Sequence, residues 1–192
     1  GDADGIIRKV PLLARQDSQI LPSLSLEALR VAQGAGSIVV KTSDGSGNLS
    51  GGLSGDAGAE VTAIKVGQFE VPTTGAGELW MHYTAPHPDR VVPAWKILSG
   101  ALPPPEMARL FEGHVVFIGT GAIGLRDLVA TPVQDRELGV IVHAQAAEQM
   151  ILGRFLTRPD WSAGLERALV LVLGGLLLAL LPRLGATRGA AL

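Results

Sequence analysis

Gly119-Thr120-Gly121-Ala122-Ile123-Gly124 has the spacing of a phosphate-cradling turn and follows an apolar run, His114 to Ile118. A dinucleotide site needs a helix opening on the last glycine, so that backbone N–H groups meet the pyrophosphate. The residues that follow, Leu125 to Asp135, contain Pro132 and no helical stripe, and no second βαβ half is present. The glycines therefore read as a tight turn. Asp2-Ala3-Asp4-Gly5 opens like a calcium loop, but the twelfth position, where a bidentate Glu is required, is Leu13. His82, His87, His114 and His143 lack the i,i+4 helical spacing of a zinc site, and cysteine is absent. No GxSxG and no Ser/His/Asp set is found. No catalytic, cofactor-binding or metal-ligating residue is assigned, and no cofactor is expected.

Thr120, Asp127, Thr131 and His143 remain as a candidate ligand or structural loop. The first three follow the end of an apolar strand, where α/β domains place ligand contacts. His143 falls on the apolar stripe of a helix, where it is expected to bond a loop backbone group. Its titration near neutrality would suit a pH-sensing role in a solvent-facing domain.

The elements that must position these residues alternate between strand and helix patterns. Residues 6–15 read as an edge strand, with Pro11 denying it a donor. Residues 24–33 read as a helix with Leu24, Ala28 and Val31 on one face. Residues 37–41, 61–66, 78–84 and 114–119 read as strands, and 93–100 and 105–113 as short helices. Residues 42–59 are a Gly/Ser/Asp-rich loop, and 125–138 a polar loop. Residues 139–153 read as a helix with Val140, His143, Ala144, Ala147 and Ile151 along one face. This order argues for an α/β domain with a central sheet and flanking helices.

The net charge of −2 implies no basic face, so nucleic acid is not expected as a partner. Aromatic residues are 4% of 192, so aliphatic side chains must build the core. Ala168 to Pro182 carries no charge. At about 1.5 Å per residue it covers roughly 22 Å, short of a hydrocarbon core of roughly 30 Å. Snorkelling Arg183 and an interfacial Trp161 extend it to a transmembrane helix expected over 163–184, in contact with membrane lipid. The first Met is Met81, and the opening residues have no signal-peptide pattern. The chain is expected to be an internal piece of a longer protein.

Four runs together resemble the type-two CHASE domain, a sensory extracellular module associated with cyclases and histidine kinases. They are GELWMHYTAP, VVPAWKILSGALPP, FEGHVVFIGTGAIGLRDLVATPV and GVIVHAQAAEQMILGRFLTRPDW. Gly113, Gly119, Gly124, Asp127, Thr131, Pro132, Gly139, His143, Gly153, Arg158, Pro159 and Trp161 stand where that pattern wants them. His82 departs from the family's usual Asn, His114 from its Lys, and Ile141 from an acidic residue. The resemblance implies an extracytoplasmic sensor domain over 1–161, its N-terminal part missing, in a periplasmic or extracellular location. It implies that 185–192 begin a cytoplasmic turn or next span. It also implies a membrane receptor for an unknown small-molecule or protein signal, with homodimers expected by analogy. Signal transduction would pass to a cytoplasmic output, an adenylate or guanylate cyclase or a protein kinase, outside this chain. An assembly module without catalytic output is the alternative, and a membrane-anchored hydrolase a more remote one.

Overall fold

The computed structural model describes residues 4–17, 19–47, 59–85, 87–121, 127–157, 159 and 161–189. Asp2 of the calcium-like opening, most of the Gly-rich loop and Gly124 lie outside the described residues. The chain divides into two units, Gly1–Leu156 and Thr157–Leu192.

The first unit begins with β1 (Lys9–Pro11) and β2 (Leu13–Gln16) in place of the single strand expected over 6–15. Each takes a different antiparallel partner, so the chain is divided at Leu12. β1 pairs with β7 (Glu78–Trp80), and β2 folds back on β3 (Gln19–Pro22). Asp17 makes that hairpin with a φ of 53°, a left-handed conformation that a short polar side chain tolerates.

Helix α1 (Leu24–Ala32) starts where Ser23 leaves extended backbone and its hydroxyl accepts the Leu26 N–H at 3.3 Å. Its inward face is Ser25, Leu26 and Leu29. The face expected from the sequence is corrected: Leu24 and Val31 are exposed. At its C-terminus, Gln33 donates to the carbonyls of Leu29 (3.1 Å) and Val66 (3.3 Å) and accepts from the Gln68 N–H (3.0 Å). One side-chain amide thus ties the helix end to a β-turn.

That turn belongs to a three-stranded antiparallel sheet, β4 (Ile38–Thr42), β5 (Val61–Val66) and β6 (Phe69–Pro72), with β5 central. Val61, Ile64, Val66 and Val71 are buried in the core with Leu12, Leu26, Leu29, Leu79 and Met150. Helix α1 packs on β5 and on α4 (Gly139–Leu152), and α4 packs on β6. The expected central sheet is therefore replaced, among the described residues, by four small antiparallel sheets. The class remains mixed α/β.

Helices α2 (Ala94–Leu98) and α3 (Pro104–Phe111) form as expected but bury none of their residues. The strand expected at 114–119 does not form. Its backbone has no ladder partner among the described residues, and Ile118 is 92% exposed. β-branched composition favours a strand only when a neighbour supplies hydrogen bonds and packing. Beyond it, a hairpin of β8 (Leu128–Val129) and β9 (Glu137–Leu138) divides the segment expected to be loop.

In the second unit, α5 (Ser162–Gly189) contains the whole of 163–184. The expectation of a transmembrane helix is not met: no helix among the described residues is long and apolar enough to cross a membrane. The physical reason is length. Glu166 and Arg167 sit in its early turns, and the uncharged run from Ala168 to Pro182 covers only about 22 Å.

Candidate functional site

Two of the candidate residues, Asp127 and His143, lie at or near the start of α4. Leu138 enters the helix in extended backbone with no side-chain cap. The Gly139 N–H instead donates to the Asp127 carbonyl at 2.8 Å. A side chain at 139 would run into the Asp127 carboxylate, so glycine is what lets that carboxylate lie against the helix end. A negative charge there is favoured by the helix dipole. Gly119 makes a second close approach, since a Cβ at that position would fall 2.5 Å from Cβ of Val140. These two glycines serve packing against the start of α4.

His143 is half-buried one turn further along α4. Its Nδ1 is buried with no hydrogen-bond partner among the described residues, so the backbone bond expected for it is not made at that atom. Burial holds its pKa below the ordinary histidine value, opposed in part by the Asp127 charge. The stripe expected on α4 is also corrected. The buried residues are Val142, Ala146, Ala147, Gln149 and Met150, while Ile151 is exposed.

Thr131 is buried but already satisfied. Its hydroxyl donates to the Gln134 carbonyl (3.1 Å) and accepts the Gln134 N–H (3.0 Å), closing the turn at Pro132. Thr120 is exposed. Asp127 thus lies at the start of α4, where its charge acts on His143 one turn along, and Thr131 has a turn-forming role.

Polar contacts that the sequence reading did not single out lie further along α4. Glu148 accepts from Arg90 with both carboxylate oxygens at 2.9 Å. Gln145 and Gln149 bond the backbone of residues 80–84. Two glutamines four apart on an alanine-rich helix were the available signal. A groove of about 240 Å³, open solvent included, runs here beside His82, Thr84, Leu152 and Arg154. Its enclosed space is only about 10 Å³, room for roughly one water molecule and far below the roughly 300–1,000 Å³ of small-molecule pockets. Nearby, Tyr83 donates to the Ile7 carbonyl at 2.8 Å, and burial, aided by the Glu137 charge, pushes its pKa up to about 12. Among the described residues no cluster of three His, Asp or Glu is placed to hold a metal ion.

The family model described as the CHASE2 domain matches residues 1–181 of the chain. No curated protein and no solved structure matches it.

Proposed function

The chain belongs to the CHASE2 domain family, an extracellular sensory domain of signalling receptors, and from that premise we propose how it signals. The unit Gly1–Leu156 receives a small-molecule or protein signal outside the cytoplasm. The segment from Phe155 through Trp161 and α5 passes the change through the membrane to a cytoplasmic nucleotide cyclase or protein kinase carried by the full-length protein. The observation that carries this reading is the family match over nearly the whole chain. Signal contact is proposed at the start of α4, where the Asp127 carboxylate lies and its charge acts on His143. A ligand acts here only through different affinities for two states of the domain.

Since α5 is short of apolar length, the passage needs the snorkelling of flanking charges or the company of further spans of the full-length protein. A test is a helix-breaking insertion between Arg158 and Pro159 of that protein. Loss of the response in output activity, with domain melting unchanged, is expected. A retained response would overturn the coupling.

A second reading, an assembly module without catalytic output, draws on the exposed Trp95, Leu98 and Ile118, since large exposed apolar side chains mark contact surfaces. It predicts that polar replacement of these three residues abolishes association with a partner protein, and that the full-length protein has no cyclase or kinase activity to change.

A further inference from the structure

β7 has one covered edge and one open one. Val10 and Leu79 pair across the β1 side, and the Met81 N–H donates to the Arg8 carbonyl at 2.9 Å. β7 ends at Trp80, and because the Met81 N–H is turned to β1, the Trp80 carbonyl and the His82 N–H in the extension that follows face away from it, as the Thr84 N–H does two residues on. No strand takes them among the described residues. Helix α4 does. Gln149 donates through Nε2 to the Trp80 carbonyl (2.7 Å), and its Oε1 accepts the His82 N–H (2.8 Å). Four residues earlier, Oε1 of Gln145 accepts the Thr84 N–H (3.3 Å).

The spacing fits. Four residues of helix rise about 6 Å, and two residues of strand rise about 6.6 Å. Glutamines at i and i+4, running antiparallel to the strand, therefore meet alternate residues of its free edge. An uncovered edge would be a template for pairing with another strand. Side-chain amides hold it with one or two bonds each, whereas a strand would supply a continuous ladder.

We propose that Gln145 and Gln149 form a releasable latch. They set the axial register of α4 against the β7 edge, and they open locally, freeing that edge, while the core stays folded. Two features favour local opening. The Gln145–Thr84 bond is long, 3.3 Å, and only part-buried, so it is the weaker of the two amide contacts and the first to open. The ion pair on the same face, Arg90–Glu148, is largely exposed on its Arg90 side, where such pairs hold weakly. The inference does not depend on the signalling direction proposed above.

Native-state hydrogen exchange on the full 192-residue chain tests it. In the unmodified protein, the His82 and Thr84 amides should exchange by openings insensitive to low urea, while β5 amides respond steeply to it. In Gln145→Leu, Thr84 exchange should rise roughly fivefold to tenfold, the loss of one hydrogen bond, with His82 and β5 unchanged. If His82 and Thr84 share the urea dependence of β5, the edge opens only with the core and the latch is refuted. An unchanged Thr84 rate in Gln145→Leu would refute it equally.

Discussion

His143 carries the clearest pH consequence of any single side chain. Burial favours its neutral form. Asp127 works the other way, and burial prevails. With the folded pKa below the unfolded value of about 6.5, the unfolded chain binds the proton more readily. The stabilisation is complete above about pH 6.5 and is lost as pH falls toward the depressed folded pKa. Urea titrations at pH 7.5 and pH 5 should show a fall in unfolding free energy, and His143→Gln should flatten that fall. An equal fall in the variant would show that other groups carry it. In the receptor, the same variant should blunt any pH response that enters through the start of α4.

At the scale of elements, α1 and α4 form the layer that covers β5 and β6, so defects in either helix should reach the whole first unit. Ser23→Ala removes the hydroxyl that caps Leu26 and should cost about 1 kcal/mol. Met150→Ala leaves a cavity at a fully buried position and should cost about 2–5 kcal/mol. Urea midpoints measured on the two variants would rank them, and a Ser23→Ala loss as large as that of Met150→Ala would contradict this assignment. These helices were legible because Ser23, Gly34 and Gly153 are local punctuation: Gly153 takes the left-handed φ of 64° that ends α4. Their inward faces were not. Buried Ser25 and Gln149 are polar, and a reading that seeks apolar stripes rotates the helix away from them. The strands were less legible for a related reason. Whether residues 6–15 form one strand or two, and whether 114–119 form any, depends on partners distant in sequence. The candidate loop divides the same way. Asp127 lies at the start of α4 and its charge acts on His143, and Thr131 is held by its own turn, a use of threonine that composition does not distinguish from ligand contact.

At the scale of the whole molecule, the first unit has its core in α1, α4 and the β4–β6 sheet, while α2, α3 and residues 115–118 leave apolar side chains at the surface. Such a surface on a sensory domain is suited to contacts made in the full-length receptor. The joint pattern from Gly113 to Trp161 was enough to place the chain in its family. The membrane passage was the weaker inference, because the uncharged run of α5 is shorter than a bilayer core.

The central claim is that this domain faces away from the cytoplasm, and its lack of cysteine offers a direct measurement. Val31 is 62% exposed on α1, outside every contact assigned above. Val31→Cys in the full-length protein, with any cysteines elsewhere replaced, can be treated in intact cells with a membrane-impermeant maleimide. Labelling without lysis is predicted. Labelling only after the cells are broken would put the domain in the cytoplasm and contradict the account.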